Sequence, residues 1–325
     1  MKKFFTLLLA VISTMTTFAQ TEPAIELQAE VDGNTRTLTI GLGVEGTVQI
    51  DWGNGEKVTS ENIPVYDGWN QVNVSGTVSG DGKVKIYGDN IVYFECSSRV
   101  DGAQVLSLDV TKATALKDLT ANTNKLTSID LTKNTELTKL TINNNQLTNI
   151  DISKCTQLTT LDITNNLLTA IDITKNQALQ TLRIGQNKLT GELDLSTNPT
   201  IKLVYAQTNE LASVKIGNNT ASKPTFSFNE NKLTSFDATG IKDAGNATLF
   251  LISNQLTEIT LPSTKMKSIN ISKNNFTIAT LPATSVAKFF TYAPQNDYVI
   301  AESYKVGDVL DLSSQTSATL NTQFA

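Results

Sequence analysis

Apolar residues recur along the middle of the chain with a fixed beat. The segments LKDLTANTNKLTSIDLTKNT, LTKLTINNNQLTNIDISKCT, LTTLDITNNLLTAIDITKNQ and LQTLRIGQNKLTGELDLSTN begin at Leu116, Leu137, Leu158 and Leu179, each 21 residues after the last. Within the first unit Leu116, Leu119, Ala121, Leu126, Ile129 and Leu131 are apolar. The pair Leu119-x-Ala121 has the strand period of two, so both side chains point inward while Asp118, Thr120 and Asn122 point out. Ile129-x-Leu131 alternates again and returns two residues to the same core from an opposite wall. Too few residues remain for a long helix, so the return path is predicted to be extended or one short 3₁₀ turn. An Asn closes each strand, at Asn124, Asn145, Asn166 and Asn187, and in looser copies at Asn209, Asn231, Asn254 and Asn274. A buried amide carries two donors and an acceptor, so these residues are expected to form a column bonding neighbouring turns. Parallel strands are predicted to centre on Leu119, Leu140, Leu161, Leu182, Val204, Phe226, Leu249, Ile269 and Phe290.

The spacing between walls tests the repeat. Leu131 to Leu140 is 9 residues, as are Ile152 to Leu161, Ile173 to Leu182 and Leu195 to Val204, whereas Ile216 to Phe226 is 10 and Ala238 to Leu249 is 11. Insertions fall in the turns and the strand core keeps its length, as stacked repeats require. The pattern L-x-x-L-x-L-x-x-N-x-L resembles leucine-rich repeats, and the units are similar to those of secreted and surface proteins of Gram-negative bacteria, distantly akin to internalins. The resemblance implies a right-handed solenoid over 91–296, of about nine or ten turns, with a parallel β-sheet on its concave face.

The segment 21–90 lacks the repeat. It reads as short strands, IELQAEV and TRTLTIGL around an Asp32-Gly33-Asn34 turn, then TVQIDWGNGE, VNVSGTV and KVKIYG. The expectation is a small β-sandwich preceding and capping the solenoid, since an open terminal turn invites edge pairing. Its Asp51-Trp52-Gly53-Asn54-Gly55 turn resembles the turn of PKD-type immunoglobulin-like modules. The tail 297–325 is read either as a cap for the last turn or as the start of a further, truncated β domain. At the other end, Lys2 and Lys3, the apolar run Phe4 to Ile12 and Thr17-Phe18-Ala19 have the three-part layout of a secretory signal peptide over 1–19. The run is too short to span a bilayer, and no cysteine follows it for lipid attachment. The reading is export to the exterior or cell surface of a Gram-negative bacterium, with no transmembrane segment.

Composition narrows the chemistry. The 325 residues contain no His and 2 Cys, which removes Ser-His-Asp and Cys-His catalysis and His-ligated metals. With 26 basic against 31 acidic residues the formal charge is -5, so a nucleic-acid partner is not expected. The Asp column (Asp109, Asp130, Asp151, Asp172, Asp194) follows the repeat, with Lys112, Lys133, Lys154 and Lys175 in step. It is read as turn hydrogen bonding and ion pairing rather than a glycosidase pair. Asp51, Asn54 and Glu56 offer closely spaced oxygens that suit Ca²⁺, against the plainer reading of a Gly-rich turn with backbone caps. No metal or cofactor is assigned. Cys96 takes an inward strand place and Cys155 a turn place on the opposite wall, so no disulfide is expected between them.

The outward columns carry the candidate site. Early repeats present small polar residues, but later ones present Arg183, Leu203, Tyr205, Phe250, Ile252 and Phe289. Large apolar side chains on a solvated face have no core to join, which points to an interaction surface. The alternative is that a C-terminal domain or the tail packs on Phe250, Ile252 and Phe289. The function expected is non-enzymatic: a monomeric adhesion or recognition protein holding a protein or glycan on its concave face. The alternatives are an accessory to a glycan-acting enzyme and a structural spacer.

Overall fold

The computed structural model of the chain describes residues 22–98, 104–277, 280–293 and 295. The signal-peptide segment 1–19 and the tail 297–325 lie outside the described residues. The molecule is a β-solenoid whose concave sheet runs unbroken from one end to the other. In spatial order its strands are Val72–Thr77, Thr35–Leu42, Ile91–Glu95, Asp118–Thr120, Lys139–Thr141, Thr160–Asp162, Thr181–Arg183, Leu203–Tyr205, Thr225–Ser227, Thr248–Phe250, Met266–Asn270 and Ala287–Thr291. From Ile91–Glu95 onward all neighbours are parallel and pair in one register: Phe94 with Leu119, Leu119 with Leu140, and so on to Ile269 with Phe290. These are the strands and centres that the repeat spacing predicts. Among the described residues the opposite wall pairs strand to strand at Thr190–Asp194 with Glu210–Lys215 and at Ser235–Asp237 with Glu258–Thr260, all parallel, with a single parallel bridge between Asn219 and Ile241. Between walls the chain turns, with short 3₁₀ segments at Ala244–Asn246 and Thr284–Val286. The first of these occupies the longest predicted spacing, Ala238 to Leu249.

The Asn column does what its donors and acceptor allow. Asn145 Nδ2 donates back to Ala121 O (2.9 Å) and to Ile142 O and Asn143 O of its own turn, while its Oδ1 accepts from Leu126 N (3.1 Å). Asn124, Asn166, Asn187, Asn209, Asn231, Asn254 and Asn274 repeat the arrangement. Each amide therefore ties two turns together and satisfies backbone groups that a buried turn would otherwise strand. The residue before each ladder Asn stands in the left-handed region, with φ from 55° to 58°: Thr123, Asn144, Asn165, Gln186, Thr208, Glu230, Ser253 and Lys273. None is Gly, so the turn carries conformational strain that the amide bonds offset.

A second amide column, not foreseen as one, lines the far turns. Asn134 donates to Val110 O and Ala113 O, Asn176 to Ile152 O and Cys155 O, Asn198 to Ile173 O and Asn176 O, and Asn219 to Ile201 O. Cys155 occupies the vacant rung between Asn134 and Asn176. Its thiol makes only long contacts, 3.6 and 3.8 Å, to Asn134 O and Leu131 O.

A free-standing sandwich ahead of the solenoid is not what the pairing shows. The strands Val72–Thr77 and Thr35–Leu42 extend the concave sheet through Ile91–Glu95. The others form a sheet in the order Lys57–Thr59, Gln49–Asp51, Lys83–Tyr87, Ile25–Ala29 and Val105–Asp109, the last lying on the opposite wall. One apolar core runs from Ala24 to Ala287. Arg36 is buried at the junction and donates to Cys96 O (2.7 Å) and Asn124 Oδ1 (3.4 Å), so it closes the ladder where no earlier Asn exists.

Two substitutions test the ladder by urea denaturation. Asn166→Ala, which leaves the Leu147 N–H unpaired and removes one of the two amide donors to the Ile142 carbonyl, should cost about 1–3 kcal/mol. Thr123→Asn replaces a β-branched residue at positive φ by one that adopts this conformation readily, and should add about 0.5–1 kcal/mol.

Candidate functional site

Consecutive parallel strands place equivalent side chains about 4.8 Å apart, so the concave face is read as columns. One column runs Glu95, Thr120, Thr141, Asp162, Arg183, Tyr205, Ser227, Phe250, Asn270 and Thr291. A parallel one runs Tyr93, Asp118, Lys139, Thr160, Thr181, Leu203, Thr225, Thr248, Ser268 and Phe289. Arg183, Leu203 and Tyr205 are thus brought together on adjacent strands. The Arg183 guanidinium carbon lies 5.7 Å from the centre of the Tyr205 ring, and its Nη1 lies 3.9 Å from Asp162 Oδ2. Asp162 is itself held by Thr164 N donating to its Oδ1. The guanidinium is therefore steered from both sides while a large part of it stays open to solvent.

Phe250 and Ile252 are not contiguous with that group. The strand Thr225–Ser227 intervenes, and Asn229 below it accepts the Ile252 N–H. Phe250 and Ile252 are half-buried, whereas Phe289, two strands further, is 57% exposed beside Lys288.

Two residues expected to face water do not. Asp118 is 8% exposed, covered by Tyr66 from the N-terminal segment and by Lys139, whose Nζ lies 3.2 Å from Asp118 Oδ2. Asp162 is buried beneath Arg183. Sequence reading also passed over Tyr93. It occupies the same outward place as Asp118 one unit earlier, so the register alone marks it; Tyr66 carries no such mark.

The Asp column on the opposite wall serves the turns. Asp109, Asp130, Asp151, Asp172 and Asp194 each accept through Oδ1 from the N–H two residues on. The ion pairs expected with Lys112, Lys133, Lys154 and Lys175 do not form among the described residues: Lys112 pairs instead with Glu22, and Asp194 with Lys215 of the next turn. Asp51 turns its Oδ1 to the N–H groups of Gly53 and Gly55, and Asn54 bonds Glu56 N, so two of the three candidate calcium oxygens cap backbone. Cys96 and Cys155 are free, buried thiols, which burial pushes up to about 12 and about 11. A thiol so raised is a poor nucleophile. No helix among the described residues is long and apolar enough to cross a membrane.

The family described as leucine rich repeats (2 copies) matches residues 135–175. No curated protein matches. Among solved structures, the functional domain of InlJ from Listeria monocytogenes, described as including a cysteine ladder, is 22% identical with a TM-score of 0.45, over 70% of this chain and 57% of its own. An internalin, InlF, from the same organism is 22% identical with a TM-score of 0.39, over 49% of each chain. A leucine-rich repeat protein of Leptospira interrogans is 20% identical with a TM-score of 0.45, over 57% of each. The chain spans 49% to 57% of the length of these structures. Residues 135–175 thus match leucine-rich repeats, and the one-to-one strand register continues beyond them along the whole parallel sheet of the β-solenoid.

The Asp column makes an acid-stability prediction. Asp130 is held below the ordinary carboxyl range by the hydroxyl and N–H of Thr132, Asp151 by the N–H and hydroxyl of Ser153, and Asp172 by the hydroxyl and N–H of Thr174. A carboxyl lowered by folding contributes stability above its unfolded pKa of about 3.9, lost as pH falls through the folded value. Burial raises Asp118 instead, so its contribution has the opposite sign and is lost as pH rises. The three lowered groups outnumber it. Thermal midpoints should therefore fall steeply below about pH 4, and less steeply in the triple variant Asp130→Asn, Asp151→Asn, Asp172→Asn.

Proposed function

We propose that this is a non-enzymatic recognition protein that holds a partner protein on its concave face, centred on Arg183 and Tyr205. The observation that carries the reading is the row Asp162, Arg183 and Tyr205 on three adjacent strands, with the guanidinium steered between a carboxylate and an aromatic ring. Leu203 beside Tyr205 supplies apolar area, and Phe250, Ile252 and Phe289 form a second apolar group beyond the strand Thr225–Ser227, toward the C-terminal end. Tyr and Arg are the side chains most often found to dominate binding energy. A rigid sheet holds them in place, so little side-chain entropy is lost on docking.

A non-catalytic reading is favoured by the absence of His, by the raised thiols and by the Asp column, whose oxygens bond backbone N–H groups. The basic and apolar N-terminal layout supports export, and adhesion as a monomer at a Gram-negative cell surface is the role proposed. On the same reading 91–296 is the recognition unit, and 21–90, the segment with a PKD-like turn, acts as its cap.

The test is a screen of the purified chain against arrayed extracellular proteins, followed by calorimetry on any hit. Tyr205→Ala and Arg183→Ala should each weaken binding by about 1–3 kcal/mol, while Thr141→Ala in the polar half leaves affinity unchanged. Equal losses at all three positions would reject the site.

A further inference from the structure

The N-terminal end of the concave face carries a second group of side chains, five strand steps, or about 24 Å, from Tyr205. Tyr66 comes from the loop between Lys57–Thr59 and Val72–Thr77 and is tied down by its N–H donating to Leu42 O (2.8 Å). Its ring stacks on Tyr93, with centroids 4.9 Å apart and planes at 29°. It lies so close over Gly41 that a Cβ there would meet it at 2.9 Å. Its hydroxyl reaches Asp118 Oδ2 at 3.4 Å, and the Tyr93 hydroxyl donates to Glu95 Oε2 at 2.8 Å. Burial pushes the Tyr66 hydroxyl up to about 12, so it stays a donor.

Two features of this group are unexplained by packing. Asp118 Oδ1 is buried without a hydrogen-bond partner among the described residues, an unfavourable state for a carboxylate oxygen. Three residues past Tyr66, Trp69 is 87% exposed, the most open of the large apolar side chains among the described residues. It is not on a loose loop. Asp67 Oδ1 accepts from the N–H of both Trp69 and Asn70 at 3.0 Å, and its Oδ2 accepts from Asn70 Nδ2 at 3.0 Å. An indole is thus displayed on a pinned turn, three residues along the chain from the tyrosine that covers Asp118.

Charge selects the ligand. A cation approaching Asp118 meets the Lys139 ammonium already there, and an anion meets Glu95 and Asp118. A neutral molecule with hydroxyl donors and an apolar C–H face meets neither penalty, and both of its features have counterparts here. We propose that this end of the concave face binds a neutral saccharide, whose C–H face stacks on Trp69 and the open side of Tyr66 while its hydroxyls donate to Asp118 and Glu95. On this proposal the Lys139 ammonium, whose side chain is 46% exposed, moves off Asp118 Oδ2 to admit the hydroxyl. The site does not depend on the one around Tyr205.

The chain has 2 tryptophans, and Trp52 is 7% exposed, packed over Gly76, so solvent quenching reports mainly on Trp69. The full chain would be titrated with neutral hexasaccharides of glucose, mannose, galactose and N-acetylglucosamine, with oligolysine and heparin as charged controls. At least one neutral series should saturably protect the fluorescence from acrylamide, and the charged controls should not. By calorimetry, Trp69→Ala and Tyr66→Ala should each weaken that binding about tenfold or more. Tyr66→Phe, which keeps the ring, should weaken it less, and Tyr205→Ala should leave it unchanged. Circular dichroism matching the parent identifies variants that fold. The proposal is overturned if no neutral hexasaccharide protects Trp69, if a charged control binds in preference, or if Tyr205→Ala weakens binding as much as Trp69→Ala.

Discussion

A carboxamide buried between turns is the interaction on which the rest of this structure depends. Each ladder Asn bonds a carbonyl of the preceding turn, two carbonyls of its own, and one backbone N–H. Without these amides the Leu126 N–H and the Ala121 and Ile142 carbonyls, buried at the bend, would lose the partners that let the chain leave the strand inside the protein. The amide also holds the residue before it at positive φ, even where that residue is Thr or Lys. Strand, bend and stacking distance are set by one side chain repeated every turn.

The ends of such a column need partners of a different kind. At the start, Arg36 supplies the guanidinium that bonds Asn124 Oδ1 and the Cys96 carbonyl, the place an earlier repeat would otherwise fill. Around it the N-terminal strands join both walls, antiparallel to Ile91–Glu95 on one side and to Val105–Asp109 on the other. The N-terminal segment is therefore hydrogen-bonded into the solenoid and shares its core. At the far turns, the second column of amides tolerates a rung occupied by Cys155, whose thiol fills the space with weaker contacts.

A scaffold stapled in this way turns its concave face into a fixed lattice of side chains, free to vary because its outward positions contribute little to the core. Polar residues occupy much of that lattice. Apolar and aromatic side chains interrupt it in three places: Leu203 and Tyr205 beside Arg183 in the middle, Tyr66 and Tyr93 beside Glu95 and Asp118 at the N-terminal end, and Phe250, Ile252 and Phe289 toward the C-terminal end. A buried carboxylate lies beneath a cation both in the middle and at the N-terminal end. In the middle the cation also lies over the Tyr205 ring, and at the N-terminal end the carboxylate accepts from the Tyr66 hydroxyl, so the groups are oriented before any partner arrives.

The repeat was legible in the sequence because every contact it implies joins residues one unit apart. A spacing of 21 residues maps directly onto a neighbour 4.8 Å away, so inward Leu119, the ladder at Asn145 and the outward places of Arg183 and Tyr205 follow from arithmetic on the chain. What the tertiary structure decided lies outside that arithmetic. Tyr66 meets Asp118 across 52 residues, and Arg36 meets Asn124 across 88, with no repeated interval to announce either. The burial of Asp118 and the stack on Tyr93 depend on where a loop from the N-terminal segment comes to rest. That position is set by how the antiparallel strands join the first turn of the solenoid, a three-dimensional packing problem to which the periodicity of the repeats contributes nothing.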